Sequence, residues 1–144
     1  MRIALVQFNA TVGDVDGNVD RIIAGMTAAA GQGAGLAVFH ELCVSGYPPR
    51  DLVEIGDFLR RCEAGIERIR EASARMPGLG VVIGAPLPAH REYGKRVANA
   101  ALLVAEGRVL HRQDKILLPT YDVFDEARYF EPGAASVPVS FVGE

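Results

Sequence analysis

An α/β fold with a mixed sheet is predicted by three features of this 144-residue sequence. Apolar runs of strand length lie at residues 2–8, 36–39 and 80–84, as in strands buried inside a parallel sheet. Stretches with helical spacing of apolar residues separate them, which is the β-α-β order of parallel pairing with crossover helices. Two later runs, 99–104 and 108–111, flank Ala105-Glu106-Gly107, a hairpin signal with glycine in the turn.

Residues 2–8 form the first strand, expected to be buried on both faces. Residues 9–17 are a loop rich in glycine and aspartate, and Asn18 is the expected helix N-cap. Val19, Ile22, Ile23, Met26 and Ala30 then share one helical face, and Gly31-Gln32-Gly33 stops that helix. After the second strand, Pro48-Pro49 forces an extended or turn segment. A second helix is predicted over 56–76, with Leu59, Cys62, Ile66, Ile69 and Met76 near one face and Pro77-Gly78 at its end. Residues 86–95, rich in proline and charge, are the candidate flexible segment. Residues 136–144 read as a strand just starting, so the chain is expected to be part of a longer one.

The length fits one domain with a real core. A net charge of −3, with basic residues scattered among acids, offers no footprint for nucleic acid. No apolar run approaches the roughly 20 residues of a membrane span, and the N-terminus lacks the pattern of a signal peptide. Two cysteines are too few for a disulfide scaffold, so a reducing, cytoplasmic compartment is expected.

Two charged residues stand where strands end. Glu41 follows Val38-Phe39-His40, and Lys115 follows the second hairpin run and precedes Ile116-Leu117-Leu118-Pro119. In open α/β sheets, ligands bind beyond the carboxyl ends of the strands. A carboxylate there suits a general base, at the mouth of the sheet or buried with a partner. A lysine beside it stays protonated and suits stabilisation of an oxyanion. Residues 121–130, Tyr-Asp-Val-Phe-Asp-Glu-Ala-Arg-Tyr-Phe, make an aromatic and acidic loop fit for a binding wall or site support. Cys43, two residues after Glu41, would face the same side in an extended segment. No activating helix start follows it, so core packing explains both Cys43 and Cys62 better than a nucleophile does. His40, His90 and His111 are too far apart, and lack the companions, for a metal site; His40 is expected to be a satisfied structural histidine.

These segments together resemble the nitrilase (carbon–nitrogen hydrolase) superfamily, and within it the N-terminal glutaminase domain of glutamine-dependent NAD+ synthetases. The resemblance rests on Ile3-Ala4-Leu5-Val6-Gln7-Phe8-Asn9 with Val12-Gly13-Asp14, on Glu41-Leu42 with Ser45-Gly46-Tyr47-Pro48-Pro49-Arg50-Asp51-Leu52, on Lys115-Ile116-Leu117-Leu118-Pro119 and on residues 121–130. It implies a four-layer α-β-β-α sandwich with mixed sheets, of which residues 1–144 are the N-terminal, incomplete portion. It also implies a Glu-Lys-Cys triad: Glu41 as general base, Lys115 as oxyanion stabiliser, Glu126 as site support and Tyr121 beside the glutamine substrate. The nucleophilic cysteine would follow Lys115 by some tens of residues, and no cysteine follows Cys62, so this chain alone is expected to be inactive. His40 stands where the resemblance implies proline. No cofactor is implied for this part; ATP and Mg2+ are implied for the absent synthetase domain of the same polypeptide, and a homo-oligomer for the assembly. The alternatives are a stand-alone amidase or carbamoylase of the same superfamily, and a non-catalytic binding remnant.

Overall fold

A computed structural model describes residues 1–89, 94–122 and 124–141. Its elements run β1 (Ile3–Val6), α1 (Val15–Gly31), β2 (Leu36–Phe39), a 3-10 turn (Arg50–Glu54), α2 (Gly56–Ser73), β3 (Gly80–Pro88), β4 (Val97–Ala105), β5 (Arg108–Asp114) and α3 (Glu126–Tyr129). The five strands form one sheet in sequence order. β1, β2 and β3 pair in parallel, and β3–β4 and β4–β5 pair antiparallel. The mixed α/β sheet, the two crossover helices and the hairpin therefore all form as the residues indicate.

Both long helices lie on one face of the sheet. Val15, Val19, Ile22 and Met26 of α1 and Phe58, Cys62, Ile66 and Ile69 of α2 share one core with Phe39, Val81, Ile83, Leu102 and Val104. The helices pack against each other at Gly65, where an added Cβ would lie 2.8 Å from Val19. Among the described residues the opposite face has no helical cover, so these residues form one helical layer and one sheet layer. That corrects the expectation for the first strand: Ile3 and Leu5 are 54% and 77% exposed. Strand residues alternate between faces, and only the alternate set of β1 meets the helices.

Three further expectations change. α1 begins at Val15, capped by Asp14, whose carboxylate accepts from Gly17 N at 3.1 Å. Asn18 is not the cap. It lies fully buried one turn in, accepting from Thr11 N and donating to the carbonyls of Thr11 and Val44. α2 ends three residues early, at Ser73. β3 runs on to Pro88, through residues read as flexible. The prolines fit because β2 pairs with β3 only at Gly80–Val82, so beyond Val82 that side of β3 lacks a partner that needs an N–H. Residues 90–93 of the expected flexible segment, with His90, lie outside the described residues, as do Val123 and 142–144. Residues 136–141 form no strand; Phe141 instead covers Gly80 at the start of β3.

Candidate active site

Glu41 reaches the site because the chain turns sharply after β2. Leu42 has φ +49°, and Gly46 N closes a turn onto Leu42 O at 2.8 Å. This turn rests on β3, with Val44 N donating to Gly84 O at 3.2 Å. The turn also sends neighbouring side chains opposite ways. Glu41 points to the cleft, 46% exposed, while Cys43 is buried against Gly84. The expected extended geometry, with Glu41 and Cys43 on one side, is therefore absent.

Lys115 follows β5 directly. Its N–H donates to Asn99 O at 2.8 Å, and its carbonyl accepts from Gly133 N at 2.9 Å. The segment between Lys115 and Gly133 folds back so that Glu126 opens the one-turn α3. Its ammonium lies 2.7 Å from Glu41 Oε1, 3.0 Å from Glu126 Oε1 and 2.9 Å from Glu126 Oε2. Glu126 is only 5% exposed. Glu41, Lys115 and Glu126, 85 residues apart at the extremes by their numbering, thus meet in one cluster carrying two carboxylates and one ammonium.

Two neutral donors complete it. Asn99 Nδ2 donates to Glu41 Oε1 at 2.6 Å, and Tyr47 OH donates to Glu126 Oε1 at 2.8 Å. Sequence reasoning gave neither residue a role. The available signal for Asn99 was an amide inside an apolar strand; Tyr47 lay inside a quoted motif, but nothing local connects it to Glu126. Burial, then the hydrogen bond from its own hydroxyl to Glu126, raise the Tyr47 pKa, so the phenol is a donor throughout the ordinary pH range. Burial pulls the Lys115 pKa down, but hydrogen bonds and charge from Glu41 and Glu126 outweigh it and raise the pKa overall. The group is an ammonium at neutral pH and serves as a fixed positive charge, not a base.

The cluster opens onto a cleft of about 290 Å³ lined by His40, Glu41, Gly84, Asn99, Gln113 and Lys115. Tyr121 is 70% exposed beside Lys115 in an adjoining open groove, edge-on to Phe124, which in turn meets Tyr47. Within the same loop, Phe130 is buried and belongs to the core rather than to a wall. His40 stacks near Phe8 with centroids 4.9 Å apart, and its Nδ1 lies 3.2 Å from Glu41 O. Its Nε2 is buried without a partner among the described residues, so the expected satisfied histidine is only half satisfied.

Both cysteines are sealed in the core. Burial pushes each thiol up to about 12, outweighing the backbone hydrogen bonds to Cys43 and the Arg61 charge near Cys62. Each is therefore a neutral thiol at neutral pH, and a thiol is a poor nucleophile. In the folded protein at pH 8, neither is expected to react with an aromatic disulfide reagent within minutes, and both react once denatured. A fast-reacting thiol in the native state would overturn this.

The carbon–nitrogen hydrolase family model matches residues 2–143. A glutamine-dependent NAD(+) synthetase of Synechocystis is 36% identical over 137 residues, covering 93% of this chain and 24% of that protein. The glutamine-dependent NAD+ synthetase of Acinetobacter baumannii, solved with ADP, superposes with a TM-score of 0.84 at 32% identity, over 98% of this chain and 26% of that one. An amidase from Nesterenkonia superposes with a TM-score of 0.82 at 30% identity, over 99% of this chain and 52% of that one. The chain spans about a quarter of the length of the synthetases it matches.

Proposed function

The chain belongs to the carbon–nitrogen hydrolase family, and on that premise we propose that residues 1–144 are the N-terminal portion of a glutamine amidotransferase domain. The whole domain releases ammonia from glutamine. A synthetase domain outside these residues uses that ammonia with ATP and Mg2+ to amidate deamido-NAD+. The observation that carries this reading is the Lys115 ammonium held 2.7 Å from Glu41 and 2.9 Å from buried Glu126, in a chain whose relatives are glutamine-dependent synthetases.

The chemistry follows from the charges. A cysteine thiol supplied from beyond these residues gives its proton to Glu41 as its sulfur bonds the glutamine amide carbon. Lys115, unable to leave its two carboxylates, stabilises the oxyanion. As the carbon–nitrogen bond breaks, Glu41 returns the proton to the leaving ammonia. Water then gives a proton to Glu41 and attacks the thioester, releasing glutamate and the thiol. Glu126 acts by holding Lys115, and Tyr121 borders the substrate. The superposition on the Nesterenkonia amidase, of which this chain covers 52%, supports the second reading, a stand-alone amidase.

The test joins this chain to the remainder of the hydrolase domain of the Synechocystis relative and measures ammonia release. Glutamine is the expected substrate, with activity lost in Glu41→Gln. Turnover of short aliphatic amides but not glutamine selects the amidase reading. Hydrolysis that survives Glu41→Gln sinks the assigned base, and no hydrolysis in the soluble, folded hybrid favours a binding remnant.

A further inference from the structure

Asn99 lies in β4 within Val97-Ala98-Asn99-Ala100-Ala101, with only 4% of its surface exposed. An amide buried there needs partners, because a buried donor left unpaired loses its hydration with nothing in return. Its side-chain partner belongs to the charged cluster, and its backbone meets a second member. The side-chain Nδ2 donates to Glu41 Oε1 at 2.6 Å, and the backbone carbonyl accepts from Lys115 N at 2.8 Å. Lys115 Nζ reaches that same Oε1 at 2.7 Å. Oε1 therefore takes two donors from different directions, while Oε2 takes no hydrogen bond from the described residues.

The ammonium alone would not fix this carboxylate. Glu41 is nearly half exposed, and water screens an ion pair there, so the pair fixes its geometry only weakly. With Lys115 as sole donor, the side chain can change rotamer and present either oxygen to the ammonium. A second donor on a rigid, buried strand removes that freedom.

We propose that Asn99 is a positioning residue that pins Glu41 Oε1 and so leaves Oε2 as the oxygen that accepts the proton. This rests on the reading of Glu41 as general base. Asn99 touches no reacting atom itself; it decides which oxygen of the base is presented.

The first arm of the test is proton NMR of the 144-residue chain and reads position whatever the reaction. In the wild type, the Asn99 side-chain amide proton is displaced downfield by its charged acceptor, and the two Glu41 γ protons are inequivalent, with couplings of one rotamer. Asn99→Ala and Asn99→Leu, which remove the donor without adding a charge, both average those couplings. Tyr47→Phe, which removes a donor from Glu126 only, leaves them fixed. The amide spectrum reports folding, and Asn99→Ala carries the test if Asn99→Leu unfolds. Glu41 held in one rotamer in both Asn99 variants overturns the proposal. The second arm uses the nucleophile-bearing hybrid, where both variants lower kcat about 100-fold with KM nearly unchanged, the scale of general-base catalysis. A Glu41 released in the spectra with kcat unchanged shows that its orientation does not serve as the base, and overturns the proposal through the reading on which it rests.

Discussion

Lys115→Met lowers the stability of the chain by about 3 kcal/mol, the scale of a buried pair broken by removal of one partner. The melting midpoint falls by about 10 °C at roughly 3–4 °C per kcal/mol for a domain of this size. Its two ion pairs contribute unequally. The bond to half-exposed Glu41 is screened by water and is worth under about 1 kcal/mol. Glu126 is 5% exposed, so without the ammonium it becomes a buried carboxylate held, among the described residues, by the Tyr47 hydroxyl alone. Most of the loss therefore comes through Glu126. Lys115→Met with Glu126→Gln should recover at least half of it, because a neutral amide tolerates that site better than an unpaired charge. A loss below about 1 kcal/mol, or no recovery in the double variant, would show that the cluster behaves as a surface ion pair. The pH dependence has a definite sign. Because Lys115 titrates higher in the folded protein, its contribution is fully present below the ordinary lysine value of about 10.4. It fades only as pH rises through the raised value. The gap between wild type and Lys115→Met is thus constant near neutrality and closes in strong alkali. In the hybrid, the same change costs about 100- to 1000-fold in kcat, as for loss of an oxyanion donor.

How much of this cluster was legible depended on whether a residue's place follows from its own segment. Glu41 and Lys115 stand at the ends of strongly patterned strands, so their convergence was readable. Glu126 came from resemblance, since nothing local says that a one-turn helix folds back under Lys115. Asn99 and Tyr47 were missed because their roles depend on register and on a turn. Asn99 meets Glu41 because β4 pairs with β3 and the Glu41 turn rests on β3 at Gly84, and period-two patterning does not show which partner a buried amide will find. The error at Ile3 and Leu5 has a related cause. An apolar run reads as buried on both faces, but cover on the second face is a tertiary fact that the run does not contain. Asn18 misled because asparagine suits both a cap and a buried clasp; Asp14, four residues earlier, captured the helix start with its carboxylate on Gly17 N.

Gly84→Ala should disrupt the site from a distance, although it adds only one methyl group. Gly84 lies in β3 directly beneath the turn that carries Glu41. A Cβ there would stand 2.4 Å from Leu42 N and 3.1 and 3.2 Å from Glu41 C and Cα. All three are backbone atoms, so no rotamer change relieves the contact, and the turn must lift by about 1 Å, the shortfall from ordinary packing distance. Lifting also strains Val44 N to Gly84 O and the paired contacts between Gly84 and Cys43 Sγ. Overpacking of this kind costs about 1–3 kcal/mol, and the weakened hydrogen bonds bring the expected loss to about 3 kcal/mol, read by urea denaturation. The same displacement pulls Glu41 from Asn99, whose 2.6 Å bond has no slack for it. A misplacement near 1 Å costs about 100-fold in rate, so hydrolysis by the hybrid should fall even under conditions where the variant is fully folded. Gly31→Ala, whose added Cβ meets nothing within 4 Å, should leave both stability and rate intact. That contrast separates a close backbone approach from a general intolerance of alanine. Full activity in Gly84→Ala would mean that the turn can yield without moving the carboxylate, and Asn99 would then be the stronger of the two constraints on Glu41.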